Sequence, residues 1–540
     1  MRSFKAILIL MLIISFNWFY AAGAKDPPPG RAEDSRKTLA FWTEVLRLDP
    51  QNAQAFNERG KIYRSLGQYE KAIANYNQAI IIDPMHIEAH YNRGVARKQL
   101  KRYQKALEDY NAVIRFDPAH APAFRQRGVV YKKLALYESA ILDYDHAIEL
   151  NPDFTLAYNN RGAAYKKLGK FSQAIKDYNA AIRLNPDNPI YYNNRGVAWK
   201  NLGEYASALD DFNRAIQLNP HQANYFANRG NAFAKLGKFF HSLKDYNYAL
   251  GLDPGDSNIY TSRGLLFKYL GRYQDALKDY NHSVQINPKD AEIFFNRGIV
   301  FKLLENYQLA IADFSAAIGL DSGDARFFRN RGVVYKKLGE YKQAIEDYDH
   351  AIDLKPDYAR AYNNRGVAYK KLGQYLKAIK DFNHAIRMGA GEAWYYNNRG
   401  VALKNLKKYH RAIEDFNTAV RLNPAVGIFY INRGNVYRKF GQMQSALKEF
   451  NQATDIEPEN AMAYNLRGGI YKDSGQIHKA MEDFDRAIVL DPSYAAAYAN
   501  RGIGHITFGN YDDACKDFQK ACDLGDCARM SWARKTSDCS

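Results

Sequence analysis

The stretch of sequence that decides the fold runs from Tyr158 to Pro186 and reads YNNRGAAYKKLGKFSQAIKDYNAAIRLNP. Apolar and small residues recur at helical spacing in two segments of it, which is typical of two amphipathic helices. Gly169 lies between the segments, where a left-handed residue ends a helix at no steric cost. Pro186 follows the second segment and cannot continue a helix. The stretch therefore predicts a helical hairpin.

This hairpin recurs along most of the chain. The pair Arg59–Gly60 returns every 34 residues, fourteen times in all, and last at Arg501–Gly502. A fixed period of this length indicates one helix–turn–helix unit that is copied and stacked. Each unit buries its apolar face only against its neighbours, so we predict an all-α solenoid without a single globular core. Positions within a repeat are numbered below so that the glycine of the Arg-Gly pair is position 8.

The repeated residues resemble the tetratricopeptide repeat, which has aromatic residues at positions 4, 11 and 24, a small residue at 8, alanine at 20 and 27, and proline at 32. Position 20 is alanine in thirteen copies, with Ser242 as the exception, and position 27 is alanine in twelve, with Val113 and Ser283 as exceptions. The resemblance covers roughly residues 35–526. It implies a right-handed superhelical solenoid of about 14 repeats.

The N-terminus predicts export. Arg2 and Lys5 precede an apolar run, and Ala22–Ala24 form an A-x-A cleavage site, so residues 1–24 are predicted as a secretory signal peptide. The alternative is an uncleaved anchor, since the run is near the lower limit of spanning length. Both interpretations export the array, either as a periplasmic or secreted protein or as one anchored in the inner membrane through its N-terminus.

The remaining segments follow from the repeat. We predict a linker at 25–34, an N-terminal capping helix at 35–52, the fourteen repeats at 53–526 and a C-terminal capping segment at 527–540. All of the cysteines lie near the C-terminus: Cys515, Cys522, Cys527 and Cys539. In an oxidising compartment they suggest disulfides that tie Cys515 or Cys522 to Cys527 or Cys539, with free thiols as the alternative. A metal site is not predicted, because the spacings lack a C-x-x-C pair and no histidine follows His505.

The charge and the absent motifs limit the function. A net charge of +18 favours anionic partners, namely acidic peptides, polyanionic glycans or phospholipid surfaces. Export from the cytoplasm argues against nucleic acid as the main ligand. The sequence contains no H-E-x-x-H, P-loop or G-x-S-x-G motif, and its acidic residues repeat with the period. A catalytic site needs a singular group of residues, so we predict neither an enzyme nor a cofactor.

Position 6 is asparagine in ten copies, although asparagine disfavours helix relative to alanine. The family resemblance places this position on the concave surface, formed by the first helices. A side-chain amide can both donate to and accept from one peptide unit of an extended chain. The row therefore predicts a peptide-binding site, although hydrogen bonding between repeats would also keep it constant. Its members are Asn92, Asn160, Asn194, Asn228, Asn296, Asn330, Asn364, Asn398, Asn432 and Asn500.

Position 12, on the same surface, is lysine or arginine in twelve copies. This row predicts an anion-binding site, while cations near a helix C-terminus also stabilise the helix dipole. Its members are Arg64, Lys98, Lys132, Lys166, Lys200, Lys268, Lys302, Lys336, Lys370, Lys404, Arg438 and Lys472.

Position 7 is the arginine of the Arg-Gly pair, and sixteen residues later position 23 is acidic in thirteen copies, with Asn75 as the exception. Because these positions lie on the two facing helices, we predict one partly buried Arg–acid ion pair per repeat. A semi-buried arginine without a partner would be costly. This role is structural.

Together these features predict a protein–protein interaction scaffold that binds extended peptide segments of partner proteins in a basic, Asn- and Lys-lined groove. A first alternative is a polyanion- or glycan-binding module in envelope polysaccharide export, in which the cationic row does the binding. A second alternative is a structural spacer without a ligand. The salt dependence of binding distinguishes the peptide-binding scaffold from the polyanion-binding module, since binding to a polyanion weakens steeply as salt rises.

Overall fold

The computed structural model describes residues 31–535, which form thirty α-helices and no strand. The predicted signal peptide lies outside the described residues, as do residues 25–30 of the predicted linker and residues 536–540 of the C-terminal segment. Among the described residues, no helix has the length and apolar character needed to cross a membrane.

The helices follow one another in hairpins between two terminal helices, α1 (Arg31–Leu48) and α30 (Ala528–Lys535). The first helices of the fourteen repeats are α2 (Ala53–Ser65), α4 (Ile87–Gln99), α6 (Ala121–Lys133), α8 (Thr155–Lys167), α10 (Pro189–Leu202), α12 (Ala223–Lys235), α14 (Ser257–Tyr269), α16 (Ala291–Leu303), α18 (Ala325–Lys337), α20 (Ala359–Lys371), α22 (Ala393–Asn405), α24 (Gly427–Lys439), α26 (Ala461–Asp473) and α28 (Ala495–Thr507). The second helices are α3 (Tyr69–Ile82), α5 (Tyr103–Phe116), α7 (Tyr137–Leu150), α9 (Phe171–Leu184), α11 (Tyr205–Leu218), α13 (Phe239–Leu252), α15 (Tyr273–Ile286), α17 (Tyr307–Leu320), α19 (Tyr341–Leu354), α21 (Tyr375–Met388), α23 (Tyr409–Leu422), α25 (Met443–Ile456), α27 (Ile477–Leu490) and α29 (Tyr511–Asp523).

The N-terminal capping helix differs from its predicted bounds. Helix α1 begins at Arg31, inside the segment predicted as a linker, and ends at Leu48 instead of residue 52. Residues 31–34 contain no glycine or proline, so nothing in them stops the helix at Ser35. Val45 and Leu46 of α1 are buried against Ala55 of the first repeat, with Trp42 packed beside them. The helix therefore covers the exposed end of the first hairpin.

The chain divides into two compact units between Leu266 and Phe267. Within each unit a second helix packs against its own first helix and against the first helix of the next repeat. In the second unit, for example, Ala344 and Tyr348 of α19 form one core cluster with Ala368 of α20. Consecutive first helices also contact each other directly within each unit. The side chains of neighbouring first helices can therefore interact from repeat to repeat.

Two glycine positions explain the local geometry of the hairpin. A Cβ atom on Gly366, at position 8, would lie 2.7 Å from Cε1 of Phe382, so only glycine lets the two helices approach this closely. Gly169 has φ of +73° and ends the first helix of its repeat, as predicted. Ala135 occupies the equivalent place in the preceding repeat with φ of +59°, a conformation that disfavours any side chain.

Candidate binding face on the first helices

The predicted arginine–acid ion pairs are present. In twelve repeats Nη2 of the position 7 arginine lies 2.5–2.7 Å from a carboxylate oxygen of the position 23 residue. Asp347, the partner of Arg331, is only 3% exposed. Burial raises the pKa of the Asp347 carboxyl above its usual range, and Arg331 offsets this effect only in part. These residues join the two helices of a repeat.

The arginine has a second partner that the sequence analysis missed. Its Nη1 atom donates to the side chain at position 25 of the preceding repeat, as Arg93 does to Asn77 over 2.8 Å. Arg365 makes the same contact with Asp349 over 2.5 Å. Position 25 is asparagine or aspartate in twelve copies, a regularity that could have revealed the contact. The arginine thus links neighbouring repeats as well as the two helices of its own repeat.

The asparagines of position 6 take part mostly in contacts within the array. Six of them donate from Nδ2 to an asparagine Oδ1 at position 5 of the preceding repeat, at 2.9–3.1 Å. These donors are Asn92, Asn194, Asn228, Asn398, Asn432 and Asn500. Asn296 and Asn330 donate instead to the backbone carbonyls of Glu292 and Arg326. We call the contacts between positions 5 and 6 the amide ladder.

These hydrogen bonds bear on the predicted peptide-binding role of the position 6 asparagines. Hydrogen bonds inside the array use an amide N–H of each of these eight asparagines, and for six of them the bond joins neighbouring repeats, the alternative role considered above. The side-chain amide has a second N–H and an oxygen, so the peptide-binding role of the row stays a prediction. Asn160 and Asn364 are different, since neither makes a hydrogen bond to another residue within 31–535. Position 5 was not singled out in the sequence, although every asparagine there is followed by one at position 6 of the next repeat.

The cationic row of position 12 lies on the same surface as the ladder. Arg64, Lys98, Lys268, Lys302 and Lys370 each donate to the position 6 amide of the next repeat, at 2.7–3.2 Å. All twelve members are partly buried. At the C-terminal end of the row, Lys472 lies 3.6 Å from Asp473. We call the surface formed by positions 5, 6 and 12 the first-helix face.

Burial lowers the pKa of nine lysines in the row: Lys98, Lys132, Lys166, Lys200, Lys268, Lys302, Lys336, Lys370 and Lys404. The value falls to about 8 for Lys98, Lys302 and Lys370. Neighbouring cations add to the effect, as Lys132 and Lys200 do for Lys166. The first-helix face thus holds partly desolvated positive charges within electrostatic reach of one another, which an anion would stabilise.

The C-terminal cysteines form disulfides in the described part of the chain. Cys522 at the end of α29 is bonded to Cys527 before α30, one of the pairings expected from the sequence. Cys515 is disulfide-bonded as well. Helix α30 buries Met530 and Ala533 against Ala514 and Phe518, so it closes the array. No group of histidine, cysteine or acidic side chains in residues 31–535 has an arrangement that could hold a metal ion.

Comparison with protein families settles the class of the repeat. Family models described as TPR repeat match residues 60–101, 137–169, 264–305, 334–373 and 468–503. Models described as tetratricopeptide repeat match residues 41–74, 87–120, 155–188, 189–222, 291–324, 359–388, 393–425 and 429–460. Together the matches cover more than half of the chain. This chain belongs to the tetratricopeptide repeat family. As an array of tetratricopeptide repeats, it is a protein–protein interaction scaffold.

Solved structures of other tetratricopeptide proteins are similar to it at low identity. The Cut9–Hcn1 hetero-tetramer of the APC/C is 17% identical and matches over 88% of this chain and 93% of that chain, with a TM-score of 0.49. Yeast Tom70 is 17% identical over 78% and 95% of the respective chains, with a TM-score of 0.40. YrrB, described as a TPR protein with an unusual peptide-binding site, is 27% identical over 34% and 95%, with a TM-score of 0.29. No curated protein sequence matches the chain.

Proposed function

We propose that the chain binds extended, acidic segments of partner proteins along its first-helix face. The observation that carries this proposal is the cationic row, whose lysines are partly buried and have pKa values lowered by burial and by neighbouring positive charges. Four consecutive repeats contribute Lys98, Lys132, Lys166 and Lys200 in the first unit. Lys302, Lys336, Lys370 and Lys404 do the same in the second unit. A row of this kind favours a ligand with several negative charges along its length.

The N-terminal part of the face has charge partners of its own, which limits where such a segment would bind. Lys61 forms ion pairs with Glu58, at 2.8 Å, and with Glu88. Asn57 also donates to Glu88, over 2.9 Å. An acidic ligand would compete with these carboxylates at the first two repeats. We therefore place the binding surface from Lys98 onwards.

A pair of charge reversals tests the proposal. Lys166→Glu with Lys370→Glu changes the first-helix face of each unit, and we expect it to abolish the capture of partners in cross-linking from the native cell. The matched control is Lys176→Glu with Lys380→Glu, which makes the same change of net charge at exposed positions of second helices. Equal capture by the two variants would reject the first-helix face as the binding surface.

Salt distinguishes a protein partner from a polyanionic glycan. Peptide binding that combines backbone contacts with a few charges should survive moderate salt, whereas binding to a polyanion should weaken steeply as the ionic strength rises. Loss of all binding within the range of physiological salt would favour the glycan. Absence of any captured partner for the wild type, together with absence of binding to acidic peptides, would favour a spacer without a ligand.

We further propose that the protein acts outside the cytoplasm, in the periplasm or beyond, or held at the inner membrane by its N-terminus. The predicted signal peptide and the bond between Cys522 and Cys527 support this location, since disulfides persist in oxidising compartments. Fractionation of the native cell, with N-terminal sequencing of the mature chain, tests it. A cytoplasmic protein that retains Met1 would contradict it.

A further inference from the structure

Among the junctions at which the ladder bond is not made, two have an arginine at position 5: Arg125 in the first unit and Arg329 in the second. In both places position 5 carries an arginine, so the asparagine that follows at position 6 of the next repeat has no Oδ1 acceptor at that place. These two asparagines are Asn160 and Asn364, whose amides make no hydrogen bond to another residue within the described range. At the six junctions where position 5 is asparagine, the ladder bond is made.

The two arginines also have no acidic partner. Neither Arg125 nor Arg329 makes a hydrogen bond or ion pair with any residue in 31–535, and the Nε atom of each is buried. Their guanidinium groups lie 5.5 Å from the ring centre of Phe154 and 5.7 Å from that of Tyr358, respectively. The aromatic ring holds the guanidinium without neutralising it. A buried donor without a partner is costly, and the position 7 arginines show that this fold can supply carboxylates where it needs them.

Two lysines lie near each of these two arginines. Lys98 donates to Gln126, next to Arg125 in sequence, over 2.7 Å, and Lys302 donates to Asn330, next to Arg329, over 3.0 Å. Arg125 lowers the pKa of both Lys98 and Lys132, and Arg329 lowers that of both Lys302 and Lys336, so each arginine lies within electrostatic reach of two lysines. The charges that act on these lysines are all positive.

Cluster I therefore consists of Lys98, Arg125, Lys132 and Asn160, and cluster II of Lys302, Arg329, Lys336 and Asn364. Each residue of cluster II lies six repeats after its counterpart in cluster I, and the residue types are identical. Duplication of a segment would explain this likeness. It would not explain why both copies keep an arginine whose Nε is buried and which has no carboxylate partner in residues 31–535, while the neighbouring position 2 has changed from Pro122 to Arg326 and from Leu156 to Arg360.

We propose that clusters I and II are two equivalent subsites, each of which binds one acidic side chain of an extended peptide segment together with the peptide group beside it. The arginine offers a planar pair of donors that matches a carboxylate, and the two lysines add charge. The free asparagine amide has the donor and the acceptor that a peptide group requires. This inference rests on the proposed function and narrows the binding surface from all first helices to two sites, one in each unit.

The decisive variant is Arg125→Asn with Arg329→Asn in the full chain. It places at position 5 the residue that accepts the ladder bond elsewhere, so we expect the array to stay folded with an unchanged or higher melting temperature. The probe is a short labelled peptide that alternates aspartate and serine, and its neutral twin carries asparagine in place of each aspartate. We expect the double variant to bind the acidic peptide about tenfold more weakly or worse, the loss typical of a charged hydrogen-bonded pair.

Lys200→Ala with Lys404→Ala is the matched control. It removes two charges from the same face, also six repeats apart. At these two places the ladder bond is made, by Asn228 and by Asn432. We expect it to weaken binding far less than the double arginine variant does. Calorimetry adds an independent readout, because Arg125→Asn alone should lower the number of acidic peptides bound per chain from two to one.

Equal losses in the two double variants would overturn the inference, since the general positive field would then explain the binding. Equal affinity of wild type for the acidic peptide and its neutral twin would overturn it as well, while leaving a peptide-binding function intact. If wild type bound neither peptide, the proposed function would fail together with it. Displacement of the acidic peptide only by long polyanions, and not by other short acidic peptides, would assign the clusters to a glycan instead.

Discussion

Arg297 donates a hydrogen bond of 2.8 Å from Nη1 to Oδ1 of Asn281, which lies in the preceding repeat. The same guanidinium binds Asp313 of its own repeat through Nε and Nη2, at 2.8 and 2.7 Å. One side chain therefore joins the two helices of its hairpin and also joins that hairpin to its neighbour. Since the stability of a repeat array is largely a sum of repeat and nearest-neighbour contributions, loss of such a contact should weaken more than one repeat.

Removal of the acid from one ion pair should be strongly destabilising. Asp347→Ala leaves Arg331 partly buried without its carboxylate, and we expect a loss of about 3 kcal/mol in the free energy of unfolding. Chemical denaturation measures it. Asp353→Ala, which removes an exposed charge from the same helix, is the control and should have little effect. Equal melting temperatures of the two variants would refute the structural role of the pair.

The contact between repeats can be tested apart from the ion pair. Asn281→Ala removes the acceptor of Arg297 Nη1 and should cost about 1 kcal/mol, since the bond is charge-assisted but Asn281 is exposed. Asn281→Asp should keep or increase stability, because Asp349 already accepts the equivalent bond from Arg365. A stability ranking in which alanine equals or exceeds aspartate would show that the contact contributes nothing.

The amide ladder predicts different outcomes for two neighbouring asparagines. Asn398→Ala removes a donor to Asn363, at 3.1 Å, and the acceptor of Lys370, and should lower the free energy of unfolding by about 1 kcal/mol. Asn364→Ala removes a side chain without such bonds and should be neutral or slightly stabilising, since alanine favours helix. Thermal unfolding of the two variants compares them directly. Similar losses of stability in both variants would mean that the ladder hydrogen bond is not what makes the position 6 asparagine stabilising.

A substitution in the turn between the helices of the third repeat should stabilise the protein. Ala135 adopts φ of +59°, so Ala135→Gly should relieve strain and stabilise the protein by about 1 kcal/mol. The converse change, Gly169→Ala, puts a side chain at φ of +73° and should destabilise by a similar amount. Equilibrium unfolding of both variants provides the measurement. The same sign for both substitutions would contradict the assignment of a left-handed residue at this position.

Binding of an acidic peptide to the two clusters should depend on pH. Burial, together with the charges of Arg125, Lys133 and Arg64, lowers the pKa of Lys98 to about 8, and burial together with the charges of Arg329 and Lys268 does the same for Lys302. A bound carboxylate favours the charged lysine, so affinity should be full well below this value and fall as the pH rises through it. Below the pKa both the free and the bound lysine are protonated, and above it binding must take up a proton.

Calorimetry near this pH in buffers of different ionisation enthalpy should therefore report proton uptake on peptide binding. The control is Lys98→Arg with Lys302→Arg, which stays charged over this range and should flatten the profile. A wild-type affinity that does not change with pH across the lysine pKa would show that these lysines do not contact the ligand.

Much of the architecture could be predicted from particular residues. The recurring Arg-Gly pair and the alanines of positions 20 and 27 predicted helical hairpins, and Gly169 predicted where a first helix ends. The ion pair between Arg331 and Asp347 could also be predicted, since an arginine in a helical interface needs a nearby acid. The start of α1 at Arg31 was missed, although Pro29 and Gly30 directly precede it and mark a helix boundary in the sequence.

The sequence by itself determined the period, the helical hairpins and the residue types of the repeated face, because these depend on local spacing and on which side chains a helix can bury. Only the tertiary structure decided which of those side chains are already used. Asn398 and Asn160 are the same residue at the same position, yet one is bonded to the preceding repeat and the other is not. The difference arises from a residue 35 positions earlier, Asn363 in one case and Arg125 in the other, which stacking brings beside it.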